Sequence, residues 1–397
     1  MATASISARP GSVERLLARG EQGQGLSPED SLALMEHAET SALLQASCRL
    51  RARAKGRSVS YSKKVFIPLT TLCRDYCGYC TFRKDPGQPG AHFMTPDEVL
   101  ALAERGRRAG CKEALFSLGD QPERIFPEAR DFLRSQGFDT TLAYLAAMCR
   151  MVLERTGLLP HANPGVMDRD DLAALKESNV SMGIMLETIS PRLLKKGMAH
   201  WHAPDKVPAL RLRTIEEAGR QKIAFTTGIL IGIGETLKER VDSLLAIRAL
   251  HQRYGHIQEV IVQNFRAKPD TPFAGHADAG LEDLLRTLAL ARLLLGGEIN
   301  LQAPPNLSYK DFPRLLDAGI NDWGGISPVT LDFINPEAAW PQIATLAEKT
   351  AAAGLELRER LALYPEFAQR SGFLSERVCA EFARHAGADG YARVGAN

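Results

Sequence analysis

Cys73-Arg74-Asp75-Tyr76-Cys77-Gly78-Tyr79-Cys80 is the stretch that governs how the remaining sequence is read. It places three thiols in one short loop at C-x3-C-x2-C spacing. Thiolates hold iron–sulfur clusters, and a [4Fe–4S] cube has four irons to ligate. Three protein ligands leave one iron open to a small molecule. Zinc is a competing occupant, but a tetrahedral site wants a fourth donor at matching spacing. The nearest imidazole, His92, follows a Pro/Gly-rich loop and is not in a finger-like register. Three incidental thiols in a reducing compartment are the remaining reading.

Outward from this loop, short apolar runs alternate with helix-patterned segments. The runs cover 65–69, 114–118, 158–162, 182–186, 225–231, 260–264, 299–302 and, more weakly, 320–326. Between them, 96–109, 168–178, 208–221, 237–254 and 281–295 carry helical periodicity, with Asp, Thr or Pro at their starts and Gly near their ends. Strands alternating with helices imply parallel pairing. Eight units predict a closed (β/α)8 TIM-type barrel, with a partial (β/α)6 barrel as the alternative. The expected organisation is a helical N-terminal extension over 1–57, a barrel core over 58–345 and a helical C-terminal extension over 346–397. Within the first of these, Ser27 reads as an N-cap and Pro28 as the first helical residue.

At 397 residues, 45% of them apolar, the chain has enough material for such a core. A net charge of +2 without a basic block argues against a nucleic-acid or acidic-membrane surface. No run has the length of a signal peptide or a membrane span, so the expected location is the cytoplasm. The other four of the seven cysteines, Cys48, Cys111, Cys149 and Cys379, lack partner spacing and read as core or incidental thiols.

In a barrel of this kind chemistry sits where strands end and βα loops begin. The unusual residues obey that filter. Ser117, Gly119 and Asp120 follow the second run; His161 and Asn163 the third; Glu187 the fourth. Gly232, Gly234 and Glu235 follow the fifth, and Gln263, Asn264 and Arg266 the sixth. Gln302 and Asn306 follow the seventh, and Asp322-Trp323-Gly324-Gly325 lies at the eighth. An Arg directly after an apolar strand is expensive to bury unpartnered, so Arg266 implies an anion, a carbonyl or a carboxylate. Asp322 beside Trp323 and a glycine pair suits stacking on a heteroaromatic ring; an Arg266–Asp322 structural pair is the plainer alternative. Trp340 reads as ordinary packing.

The C-x3-C-x2-C loop with Tyr79 before its last Cys resembles the signature of the radical S-adenosylmethionine (SAM) superfamily. Gly228-Ile-Leu-Ile-Gly232-Ile-Gly234-Glu235 resembles that superfamily's G-x-I-x-G-x-x-E stretch. Longer stretches narrow the resemblance: Val65-Phe-Ile-Pro-Leu-Thr70, Leu159-Pro-His-Ala-Asn-Pro-Gly165, Val262-Gln-Asn-Phe-Arg-Ala-Lys-Pro269, Gln302-Ala-Pro-Pro-Asn306 and Asn321-Asp-Trp-Gly-Gly325 are similar to the deazaflavin-forming synthases, cyclising subunit. The similarity runs from about residue 58 to about 345. Some relatives are fusions with a second enzyme; one C-x3-C-x2-C implies the stand-alone form.

The resemblance implies a [4Fe–4S] cluster on Cys73, Cys77 and Cys80, with SAM on the fourth iron. It implies SAM contacts from Tyr79, Ser117, Gly119, Asp120, Glu187, Gly232, Gly234 and Glu235. Electron transfer to SAM would give a 5′-deoxyadenosyl radical. That radical would take hydrogen from a hydroxybenzyl–ribityliminouracil adduct, which closes to a deazaflavin with loss of ammonia. A partner radical SAM enzyme would supply the adduct, and a one-electron donor would reduce the cube. Gln263, Asn264 and Asn306 would meet a uracil edge, and Arg266 or Asp322 would move protons. The alternatives are the adduct-forming partner itself, or a radical SAM enzyme of the biotin or menaquinone pathways.

Overall fold

A computed structural model describes residues 10–308 and 310–393; residues 1–9 of the expected N-terminal extension lie outside that range. Eight parallel strands close into a barrel: β1 (Ser58–Pro68), β2 (Glu113–Ser117), β3 (Leu159–Asn163), β4 (Ser181–Gly183), β5 (Phe225–Ile231), β6 (Ile257–Asn264), β7 (Asn300–Gln302) and β8 (Asp322–Ile326). β1 pairs with both β2 and β8, which completes the ring. The (β/α)8 expectation therefore holds. β5 has the expected bounds, whereas β4 stops at Gly183 and leaves Leu186 in the following loop.

Helix punctuation follows the sequence chemistry. Ser27, Thr95, Asp168 and Thr236 each form a capping box with the residue three positions on, which satisfies two orphan donors apiece. The Leu281–Leu295 helix is apolar nearly all round and buried along most of its length. One face meets β6 and β7, and the Thr40–Lys55 helix of the N-terminal extension covers another. Each fully buried Leu there contributes about 1.5–3 kcal/mol relative to exposure.

The C-terminal region departs from expectation. It is not purely helical, because a ninth strand, β9 (Glu356–Arg360), adds in parallel to β1 at Ser58–Ser62. β2 pairs with the same edge of β1 higher up, from Lys64 to Pro68. The residues after β9 then enter the barrel floor: Ser181 Oγ donates to the Ala362 carbonyl at 2.6 Å, and the Gln258 amide donates to it at 3.2 Å.

Strand alternation sorts the residues between interior and exterior. Val65 and Ala114 are fully buried in the apolar core, and Val65 touches Gly106 of the Pro96–Arg108 helix. Lys64, Glu113, His161, Glu259, Gln263 and Gln302 face inward onto a lumen cavity of about 180 Å³. Barrels usually fill this space with branched apolar side chains. A lumen lined with charges and amides is the first sign that it receives a polar molecule.

Candidate active site

The loop after β1 brings Cys73, Cys77 and Cys80 to one cavity of about 230 Å³ at the C-terminal end of the strands. None is in a disulfide. The backbone amides of Asp75 and Asp120 donate to Cys73 Sγ at 3.4 and 3.2 Å, an arrangement that suits a sulfur carrying negative charge. Burial pushes the Cys73 and Cys77 thiols well above the usual thiol range, so their protons leave only when a cation takes their place. A Cβ at Gly119 would strike the Leu72 carbonyl oxygen and lie 2.6 Å from Cys73 Cβ, so only glycine lets the β2 loop pack under the thiol loop. The donor set and its amide support fit a three-cysteine cluster.

Beside the thiols lies a buried ionic network. Glu187 sits at φ 62°, a left-handed conformation rare for a residue with a side chain, which turns it toward the cavity after β4. It accepts from the Tyr79 hydroxyl, His200 Nε2 lies 3.0 Å away and Lys206 Nζ 2.7 Å away. Burial raises the Glu187 pKa, but Lys206, His200 and Arg211 outweigh burial and hold the carboxyl well below the usual range. Arg211 pairs with Asp205 at 2.8 Å, and Arg74 pairs with Asp120. Asp75, Asp120 and Asp205 place oxygens within 4.8 Å of one another; burial and the neighbouring Asp205 push the Asp75 carboxyl up to about 8. Asp120 Oδ1 and Asp205 Oδ1 are buried without a hydrogen-bond partner.

The structure gathers the three Cys, Tyr79, Ser117, Gly119, Asp120 and Glu187 around this cavity. It leaves out the β5 loop residues. Glu235 accepts the Gly232 and Ile233 amides and pairs with Arg240 at 2.7 Å, so it staples its own loop. Gly232, Gly234 and Glu235 support the wall, to which Leu230 contributes the contact.

Asp322 and Arg266, expected to move protons, and Asn264, expected to act at the uracil edge, all lie elsewhere. Asp322 is fully buried at the barrel floor; both its oxygens accept from Arg360, and it also accepts from Ser60 Oγ and the Gly324 amide. Its partner is Arg360, not Arg266. Trp323 is equally buried, packs against Phe312 and donates to Thr350 Oγ1, so it offers no stacking face. Arg266 is half exposed, 3.3 Å from Asp278, and lines a separate surface cavity. Asn264 points away from the lumen and donates to the Leu307 carbonyl at 3.3 Å. Asn306 is held by Asp332.

Sequence reasoning missed Asp75, His200, Asp205, Lys206 and Arg211. Asp75 lay inside the quoted loop and went unused. His200, Asp205 and Lys206 sit on the turns after β4, where no apolar rhythm marks them, and Arg211 lies on the buried face of the Pro208–Arg220 helix, whose periodicity was legible but whose buried arginine was not singled out. Trp340, expected to be packing, lines the lumen with its ring 4.8 Å from Lys64 Nζ.

His161 faces the lumen as a neutral imidazole, its pKa lowered to about 4 by burial. Ser181 gives its own hydrogen to Ala362, so Nδ1 carries the proton in the 2.7 Å contact with Ser181 Oγ, and Nε2 is the acceptor. The thiol cavity and the lumen share Ser117, Asn163, Gln263 and Ile334 as a common wall.

Residues 67–247 match the model of the radical SAM superfamily. An FO synthase of Streptomyces avermitilis is 50% identical over 381 residues, which cover 93% of this chain and 44% of that protein. One of Mycobacterium tuberculosis is 55% identical over 79% of this chain and 37% of its own length. The chain thus spans less than half the length of these relatives. The 7,8-didemethyl-8-hydroxy-5-deazariboflavin synthase of Methanopyrus kandleri is 48% identical and is covered over 100% of its length by 84% of this chain. Among solved structures, methylornithine synthase aligns with TM-score 0.68 at 19% identity, over 86% of this chain and 97% of that one. A maturase of the [FeFe]-hydrogenase aligns with TM-score 0.73 at 14% identity, over 96% and 82%. Both share the fold. With a three-thiol loop at the barrel mouth and close identity along the whole Methanopyrus relative, the chain belongs to the radical SAM superfamily and, within it, to the family of 7,8-didemethyl-8-hydroxy-5-deazariboflavin synthases.

Proposed function

We propose that the protein is an ammonia-releasing radical SAM cyclase. It converts 5-amino-5-(4-hydroxybenzyl)-6-(D-ribitylimino)uracil to the deazaflavin FO, with methionine and 5′-deoxyadenosine as the other products. The observation that carries this reading is the common wall between the thiol cavity and the polar lumen. A molecule in one faces a molecule in the other, as hydrogen transfer between them requires.

Cys73, Cys77 and Cys80 would hold the [4Fe–4S] cluster, which together with SAM supplies a hydrogen-abstracting carbon radical. The side chains beside them bind and orient. Asp120 and Asp205 offer carboxylate oxygens without a hydrogen-bond partner, the acceptors that the methionyl ammonium of SAM needs. Lys206, fixed by Glu187, presents a cation to the methionyl carboxylate. Tyr79, tied to Glu187, closes the same side, and Ser117 and Gly119 line the floor. In the lumen His161 Nε2 is a neutral acceptor for a substrate hydroxyl or N–H. Walls closed by β9 and the residues after it keep water from the radical. The adduct would come from a partner radical SAM enzyme and the electron from a one-electron donor.

The test is anaerobic reconstitution with iron and sulfide, followed by SAM, reductant and purified adduct. Deazaflavin fluorescence and 5′-deoxyadenosine are expected together. Tyrosine and the diaminouracil without the partner enzyme are expected to give no deazaflavin. Production of adduct from those two precursors would identify the partner activity instead, and absence of deazaflavin from the adduct would end the reading.

A further inference from the structure

Two lumen side chains carry polar atoms that the protein leaves unanswered. Lys64 is 7% exposed, and the contacts of its Nζ among the described residues are with aromatic rings rather than with a hydrogen-bond or ion-pair partner. It lies 4.8 Å from the Trp340 ring centroid and 5.7 Å from that of Phe66. Gln302 is 5% exposed, and its Oε1 is buried without a partner; its amide nitrogen reaches only the Trp323 carbonyl at 3.5 Å. A buried amide carbonyl left unpaired is costly unless a ligand completes it, and the Lys64 ammonium opens onto the lumen with only aromatic rings beside it.

The glycine pair on β8 explains how they lie. A Cβ on Gly325 would come within 2.7 Å of Lys64 Cε and 2.8 Å of Nζ. A Cβ on Gly324 would lie 2.9 Å from Gln302 Cδ. The missing Cβ atoms are the lanes along which the two side chains extend into the cavity. The acids nearest Lys64 are partly committed: Glu113 accepts from Ser62 Oγ, Asp332 accepts from Asn306 and Asn335, and Glu259 accepts from Arg360, Tyr364 and Thr226. Burial lowers the Lys64 pKa, while Glu113, Asp332 and Glu259 work to keep it charged and Arg360 opposes them.

An unmatched donor, an unmatched acceptor and an indole together describe a flat ring whose edge carries a carbonyl next to an N–H. That is the edge of a cyclic amide, and its assignment to the imide of a pyrimidinedione rests on the functional reading above, in which the substrate contains a uracil. We propose that Lys64 and Gln302 bind the pyrimidinedione edge of the substrate in the lumen, Lys64 Nζ donating to a ring carbonyl and Gln302 Oε1 accepting the imide N–H, with Trp340 at the side. This role replaces the one expected of Asn264 and Asn306.

The experiment titrates the reconstituted holoenzyme with the deazaflavin product, which keeps the imide, and with its N3-methyl derivative, which lacks the N–H. The wild-type protein is expected to prefer the unmethylated ligand by about tenfold or more. Gln302→Leu is expected to erase that preference and raise KM for the adduct about tenfold. Lys64→Met is expected to weaken both ligands about tenfold, with partial recovery in Lys64→Arg. Gly325→Ala, which crowds Lys64 and leaves its chemistry intact, is expected to mimic Lys64→Met. Melting temperature monitors the fold of each variant. The inference is overturned if Gln302→Leu keeps the preference, or if Lys64→Met and Gly325→Ala both bind the product as the wild type does. If the wild-type holoenzyme converts no adduct and binds no product, the functional reading fails first and this assignment falls with it.

Discussion

Glu187 and Asp322 invite comparison. Both are buried carboxylates beside a barrel strand, Glu187 after the end of β4 and Asp322 at the start of β8, and both are held by arginine or lysine. At the floor every carboxylate oxygen of Asp322 and Glu259 has a partner in Ser60, Arg360, Tyr364, Thr226 or the Gly324 amide. At the rim, neighbouring Asp120 Oδ1 has no hydrogen-bond partner, and Asp205 Oδ1 has none beyond an ion pair with Lys206 at 4.0 Å. A saturated network closes the fold; an incomplete one beside a cavity awaits a ligand. Burial and charge alone do not separate the two, and hydrogen-bond accounting does.

This contrast can be attacked directly. Cys77→Ala removes one sulfur of the rim, and 5′-deoxyadenosine formation is expected to fall below detection while the melting temperature changes little. Arg360→Met strikes the floor. It leaves Asp322 and Glu259 as buried charges without their cation, and denaturant titration is expected to show a loss of about 3–5 kcal/mol. Acid sharpens the comparison through two buried histidines.

His161 and His256 have folded pKa values lowered to about 4 by burial, against about 6.5 unfolded. Above 6.5 neither state binds the proton. As pH falls from 6.5 toward 4 the unfolded chain takes it up and the native one does not, so stability is expected to drop by a few kcal/mol over that window. Urea titrations at pH 7 and pH 5 read this directly, and His256→Gln is expected to flatten the profile. Glu187→Gln weakens the hold on Lys206, and KM for SAM is expected to rise about tenfold. Arg266→Ala, at a half-exposed position outside both cavities, is expected to change stability by less than about 0.5 kcal/mol and turnover by less than about twofold.

The barrel was legible because parallel strands buried on both faces read as apolar runs and their helices begin with capping boxes. The thiols were legible from spacing alone. The lumen was not, although its signal was present. Ser58-Val-Ser60-Tyr-Ser62-Lys-Lys64 alternates polar and apolar in its first half, the pattern of a strand with one face toward a polar interior, but a search for apolar runs begins only at Val65. Asp322 misled because a polar residue beside a glycine pair looks like a binding turn. The glycines make room for Lys64 and Gln302, contributed by other strands, and no local reading contains that information. β9 escaped for a similar reason: Glu356-Leu-Arg-Glu-Arg360 is highly charged, and only its neighbours make it a strand.

β1 shares one edge between two strands, with Ser58–Ser62 against β9 and Lys64–Pro68 against β2. The first rung of the barrel is therefore completed by one of its most distant segments, Glu356 lying opposite Ser58. Such a ladder has high contact order, and its closure entropy is spent before its hydrogen bonds are gained. The floor of the barrel is thus expected to be among the last parts to become protected from hydrogen exchange during refolding, after the helices around it have formed.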